Sequence, residues 1–154
     1  MSGPPPLRPF GLVLHHDGRW SHEGQPIRNR RLREHFDRSV RYLPEEGRYV
    51  VTLRHFRAAI EVEEAAFFVR SVDAERGGLD LSDGSREPLD VATLRNSPLD
   101  GALLCTVKGS LAPGGLPARF LHAAHAELLG AARETPGGAA LLWAGRLVPL
   151  PELA

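Results

Sequence analysis

A chain of 154 residues can build one sizeable core, or two small ones that share an interface. Its 19 basic residues balance 19 acidic ones and the pI is near 7.1, which excludes a global pull toward nucleic acid, anionic membrane or acidic substrate, so any such contact has to be local. Cys105 is the only cysteine, which excludes an intramolecular disulfide; no run approaches the roughly 18 apolar residues of a membrane span and no signal-peptide pattern opens the chain, so a cytoplasmic protein without membrane contact is expected.

Residues 1 to 9 read as a Pro-rich, extended lead-in with no apolar periodicity. Leu12, Leu14 and His16 alternate with Val13 and His15, and Asp17-Gly18 then turns the chain into Arg19-Trp20-Ser21-His22, which predicts a hairpin over 12–22. A type I′ turn needs positive φ, which Gly accepts freely and Asp tolerates. Alternation sends His15 and His16 to opposite faces. Asn29 caps a helix whose apolar stripe is Leu32, Phe36 and Val40, with Arg28, Arg30, Arg31, Arg33, Arg38 and Arg41 around it. Strands follow at 49–53, 59–63 and 67–72, and the Gly77-Gly78 break bounds an N-terminal unit of residues 10–76.

A second unit, residues 79–150, opens with Leu79 to Leu81 and an Asp83-Gly84 turn about 66 residues after the first Asp-Gly, and in both cases a Pro and an aliphatic residue follow. That recurrence predicts one unit built twice. Pro88 to Val91 and Leu103 to Val107 read as strands, Pro117 sits in the first turn of a helix whose apolar face is Phe120, Leu121, Ala124 and Leu128, and Leu141-Leu142-Trp143 with Leu147-Val148 form a closing hairpin. The fold class is α+β: duplicated antiparallel-sheet units with one main helix per half. Each half is too small to be stable alone.

No catalytic, metal or cofactor motif stands out, so no cofactor is expected and an enzyme is not the first reading. His122 and His125 lie on one helix side without a third ligand at a helpful spacing, Cys105 sits in an apolar strand as a packed small hydrophobe, and Glu61, Glu63 and Glu64 fit a solvated strand face. The glycine pairs open no phosphate loop of Walker or dinucleotide type.

The run Asp17-Gly18-Arg19-Trp20-Ser21-His22-Glu23-Gly24-Gln25-Pro26-Ile27, with Leu32, Phe36, Tyr49 to Thr52 and Ile60 to Phe67 after it, resembles the bacterial family filed as domain of unknown function 1285. Pro88 to Val91, Pro117 to Leu121 and Trp143 to Leu150 are similar to that family's later segments. The resemblance implies a duplicated core, a second half similar to pleckstrin-homology domains, and a cleft between halves that holds a nucleotide-like ligand in signalling. At such a cleft Trp20, set in a hairpin context equivalent to that of Trp143, would stack on a ring, and His22, Lys108 and Arg119 are the polar groups placed beside it, with the heads of Lys108 and Arg119 reaching solvent. The leading expectation is therefore a ligand-binding or signalling module for a small anion, with a protein partner as a further option. A nucleic-acid-associated protein using the Arg-rich helix, and a small metal-dependent or hydrolytic enzyme using His122 and His125, are the alternatives.

Overall fold

The computed structural model describes residues 7–52, 54 and 57–153. Residues 1–6 of the expected lead-in and Leu53 of the expected strand lie outside them. Leu7 to Pro9 belong to the first strand, β1 (Leu7–Leu14), which pairs with β2 (Trp20–His22), and β2 with β3 (Gln25–Pro26). After α1 (Arg30–Ser39) the chain runs through β4 (Val40–Leu43), β5 (Arg48–Thr52) and β6 (Arg57–Val62). Strand order is β3-β2-β1-β6-β5-β4, antiparallel except at the centre, where β1 and β6 run parallel. The β1–β6 register shifts between Pro9 and Leu12, where Gly11 takes φ +66 and lies so close to Glu23 that an added Cβ would meet its side chain.

The second sheet repeats this plan. Its strands are β7 (Phe67–Asp73), β8 (Gly78–Leu81), β9 (Arg86–Pro88), β10 (Arg95–Asn96), β11 (Leu103–Val107) and β12 (Leu116–Phe120), in the order β10-β11-β12-β7-β8-β9, with β12 and β7 as the central parallel pair. Thus β7-β8-β9 matches β1-β2-β3, and β10-β11-β12 matches β4-β5-β6. Duplication is consistent with this topology, but the two Asp-Gly turns are not counterparts. Asp17-Gly18 joins β1 to β2, whereas Asp83-Gly84 joins β8 to β9, the position held in the first unit by Glu23-Gly24. The change of sheet falls between β6 and β7, ahead of Gly77-Gly78.

Turn chemistry explains how the marker misleads. At both Asp-Gly sites only the glycine has positive φ (Gly18 +92, Gly84 +87), and each Asp instead accepts the backbone N–H two residues on, Arg19 at 3.1 Å and Ser85 at 3.1 Å. These are longer turns closed by a left-handed glycine. The two-residue loops with positive φ at both positions are Glu23-Gly24 and Ala144-Gly145.

α1 begins where expected, with Asn29 Oδ1 accepting from the Leu32 N–H at 3.1 Å. Its buried face is narrower than the predicted stripe: Phe36 is 4% exposed and Val40 is buried on β4, but Leu32 is 41% exposed. The segment in the second unit that matches α1, between β9 and β10, is a single 3₁₀ turn, Val91–Thr93, capped by Asp90. The second helix, α2 (His122–Leu129), follows β12. Pro117 therefore lies in a strand and not in a helical turn; Leu116, Ala118 and Phe120 are buried with period two, and parallel pairing to β7 begins only at Ala118, so the missing N–H of Pro117 interrupts no bond on that side. The closing hairpin belongs to a third sheet, β13 (Ala132–Thr135), β14 (Gly138–Trp143) and β15 (Arg146–Pro149).

One continuous apolar cluster joins the sheets, running from Leu12, Trp20 and Phe36 through Phe67 and Leu79 to Phe120, Leu128 and Trp143. Tyr49 of β5 packs edge-on to Phe67 of β7 with ring centroids 6.0 Å apart, and the Phe68 ring lies against Gly18. The halves share this core, as units of this size must.

Candidate functional site

Helical spacing decides which arginine of α1 turns inward. With Phe36 fixed in the core, Arg33 lies one turn before it and Asp37 directly after it, so Arg33 and Asp37, at i and i+4, lie side by side toward β2. Asp37 Oδ1 accepts the Trp20 indole N–H at 2.8 Å, and the Trp20 ring packs on Phe36 with centroids 5.3 Å apart. Burial pushes the Asp37 carboxyl above its ordinary value, opposed by the Trp20 bond and by the Arg70 and Arg33 charges. Arg33 Nε is buried and has no hydrogen-bond partner among the described residues.

Arg33 is also among the residues that line a cavity of about 440 Å³ between β2, the β2–β3 turn and the start of α1. Arg19, Arg28 and Arg33 line it together with His15 and Ser21, and Pro26, Ile27 and the Trp20 edge form its apolar side. The volume is that of a small-ligand pocket. Arg19 is already held by Asp17 at 2.7 Å, so Arg28 and Arg33 are the lining arginines that suit a carboxylate, sulfonate or phosphate, whose oxygens match the planar fork.

Next to this cavity is an ionic seam between the two units. His15 Nδ1 and His16 Nδ1 both bond the Glu63 carboxylate, the former at 3.1 Å, and His15 Nε2 is 3.0 Å from Ser21 Oγ. His16 Nε2 lies 3.7 Å from Asp100 Oδ2, and Arg119 grips Asp100 with both Nη atoms, at 3.1 and 2.8 Å. The expectation of opposite faces for His15 and His16 fails because both already lie in the turn and not in the pleated strand. The His15 bond, with that of His16, holds the Glu63 carboxyl below its usual range, and Arg119 does the same for Asp100. Glu64 takes a 2.7 Å bond from Ser97 Oγ and keeps its other oxygen buried. Glu61 and Glu63 are exposed, as expected of a solvated face, although Glu63 also ties down both histidines; Glu64 is half-buried at the junction.

The four residues expected at a cleft have different roles. Trp20 is 1% exposed and spends its N–H on Asp37, so it edges the cavity without offering a ring face. Its context is not that of Trp143, which lies in the third sheet. His22 is half-buried on β2, opposite Leu12 and Gln25. Lys108 and Arg119 sit at opposite ends of the β11–β12 ladder, and their side chains are 15% and 13% exposed and ion-paired, not reaching into solvent as expected. Lys108 Nζ donates to Asp83 Oδ2 at 2.7 Å and Ser85 Oγ at 2.8 Å, lies over the Phe67 ring, and its backbone N–H donates to Glu87. Burial pushes the Asp83 carboxyl up, but Lys108 and Ser85 outweigh it and hold it below its ordinary value. Lys108 is a structural pin.

Among the remaining candidates, Cys105 is fully buried and its thiol is pushed up to about 12 by desolvation. His122 is exposed on α2 and His125 half-buried, and no group of three or more His, Cys, Asp or Glu able to hold a metal occurs among the described residues. Of the arginines around α1, Arg30 pairs with Glu34 at 3.0 Å, and Arg41, on β4, donates to the carbonyls of Arg38 and Val40. The residue that sequence reasoning passed over is Arg33, and its signal was its place three before Phe36.

The class defined by these observations is a duplicated α+β protein of two six-stranded sheets with an arginine-lined cavity in its first unit. Two solved structures share that fold. A DUF1285 family protein from Silicibacter pomeroyi DSS-3 aligns with a TM-score of 0.61 at 20% identity, covering 95% of this chain and 82% of its own. A DUF1285 family protein from Shewanella baltica OS155 aligns with a TM-score of 0.51 at 12% identity, covering 79% and 91%. The resemblance to that family is borne out in the fold. No family model and no curated protein matches the chain. Among the described residues no helix is long and apolar enough to cross a membrane.

Proposed function

We propose that this protein is a binding module that takes a small anionic ligand into the cavity between β2, the β2–β3 turn and α1, without turning it over. The observation that carries this reading is the arginine lining: Arg33, whose Nε is buried without a hydrogen-bond partner among the described residues, lines one hollow together with Arg28 and Arg19. The apolar side formed by Pro26 and Ile27 favours an anion with an organic body over a bare ion. A nucleotide-like ligand, implied by the family resemblance, falls within this class, although the site proposed lies within the first unit and not between the halves. A nucleic-acid role for α1 has less support, because Glu34 engages Arg30 on the helix and backbone carbonyls engage Arg41 just beyond it.

The test is an NMR titration of the full chain with sulfate, naphthalene-2-sulfonate and adenosine monophosphate. Shifts are expected at Ser21, Ile27 and Arg33, with binding near or tighter than about 1 mM for the organic anions. Arg33→Met, which keeps the aliphatic stem, is expected to weaken binding about tenfold or more. Absence of any anion-induced shift in this region, or equal binding by Arg33→Met, overturns the proposal.

A further inference from the structure

Resting on the anion-site reading above, we propose that His15 and Ser21 form a proton-linked donor pair that strengthens the site as pH falls. The direction of each hydrogen bond is fixed by which atom faces which. His15 Nδ1 faces the Glu63 carboxylate at 3.1 Å, and a carboxylate can only accept, so this nitrogen carries a proton in either charge state. In the neutral ring Nε2 is then a lone-pair acceptor, and the Ser21 hydroxyl, 3.0 Å away, donates to it. Ser21 is buried on β2 and lines the same cavity as Arg33. Its one proton is therefore turned toward His15 and away from the hollow.

Protonation of His15 reverses that bond. Nε2–H donates to Ser21 Oγ, the hydroxyl proton rotates into the cavity, and the imidazolium adds a positive charge to a wall that already carries Arg19, Arg28 and Arg33. An anion gains a donor and a charge in one step, and by linkage its binding draws in a proton. The charged groups facing the pair are Glu63 and His16 on the seam, Asp100 and Arg119 behind them, and Asp17 with Arg19 in the turn. Histidine is the side chain whose ordinary titration spans physiological pH.

The probe is naphthalene-2-sulfonate, whose own charge is constant over this range. Wild-type affinity is expected to rise about three- to tenfold between about pH 8 and about pH 5.5, with net proton uptake on binding by calorimetry in two buffers of different ionisation enthalpy. The His15 ring is expected to titrate at higher pH with the sulfonate bound than without it, read from its Cε1–H NMR signal in the wild-type chain. His15→Gln is expected to flatten the pH slope, and Ser21→Ala to lower affinity more at low pH than at high pH. A pH-independent affinity that still needs Arg33 overturns this inference alone. So does a slope that survives in His15→Gln but vanishes in His22→Gln. Absence of Arg33-dependent sulfonate binding at every pH overturns it together with the anion site.

Discussion

The two units share a six-stranded plan and differ in what joins their halves. In the first, the chain between β3 and β4 forms a helix of 10 residues; in the second, the matching chain between β9 and β10 forms a 3₁₀ turn of 3. Both segments open on the same device, an Asn or Asp side chain that caps the first turn, at Asn29 and at Asp90. Each is preceded by a Pro-aliphatic pair whose second residue bonds back to the hairpin: Ile27 N–H to Trp20 O at 2.9 Å, and Leu89 N–H to Gly77 O at 3.0 Å. Beyond the cap the two chains diverge. The longer helix of the first unit must cover a sheet with one buried residue, Phe36, and it sets Arg33 along a hollow that Arg28 and Arg19 also line. The second unit buries Leu89, Val91 and Leu94 in the same stretch and pins its β8–β9 turn with Lys108. A common framework thus carries an arginine-lined hollow beside the connection in one copy and a buried connection with a pinned turn in the other, and the lengthened connection is where they part.

The comparison is broken most severely by Phe36→Ala. Removing the only buried side chain of α1, together with its packing on Trp20, is expected to cost about 3–5 kcal/mol, read as a shift in the urea midpoint. A variant that unfolds at the wild-type midpoint would place the anchoring of α1 elsewhere.

Lys108→Met tests the pinned copy. It leaves Asp83, whose side chain is 7% exposed, without its cation, at an expected cost of about 3 kcal/mol near neutral pH. The Asp83 carboxyl is held below its ordinary 3.8, so the pair stabilises the fold above that value and the benefit is lost as pH falls through the depressed one. The difference between wild type and variant should therefore shrink below about pH 4. Equal differences at neutral and acid pH would mean that Lys108 acts through Phe67 and not through the carboxylate.

Asn29→Ala and Asp90→Ala sharpen the equivalence with a smaller effect. Each removes one cap and is expected to cost about 1 kcal/mol in thermal unfolding. A loss at Asn29 with none at Asp90 would separate the two copies at the point where they look most alike.

Much of this fold is legible in the sequence, and the reasons are local. Period-two alternation marks β1, β5 and β6, short apolar runs mark β7 and β11, the Asn29 cap and Phe36 mark α1, and Cys105 reads as core. The misreadings arise where a local signal serves two structures. Pro117 suits a first helical turn as well as a strand whose parallel ladder starts one residue later. Asp-Gly suits a type I′ loop as well as the longer turn that Asp17 and Asp83 close with their own carboxylates. β13, with Arg133 and Glu134 at its centre, has no apolar alternation to announce it. The site was less legible, because whether a cation faces a hollow or a carboxylate depends on residues far apart in the chain: Lys108 meets Asp83, and Arg119 meets Asp100, through sheet pairing alone. The inward turn of Arg33 was available from its spacing to Phe36, once that face was weighed separately from the other arginines of α1.

The central parallel pairs also set an order of assembly. Each sheet is held at its middle by strands roughly fifty residues apart, β1 with β6 and β7 with β12, so neither can close until nearly all of its chain exists, and such distant pairings form slowly. As the chain is synthesised, the first unit can close once Val62 has emerged, and β7 follows almost at once, presenting Phe67 and Phe68 against Tyr49 and Gly18. The finished first half can thus serve as a template for the founding strand of the second. A nascent chain cut at Gly77-Gly78 would retain β7 on that template, while the piece from Leu79 onward would carry β8 and β12 with no strand between them.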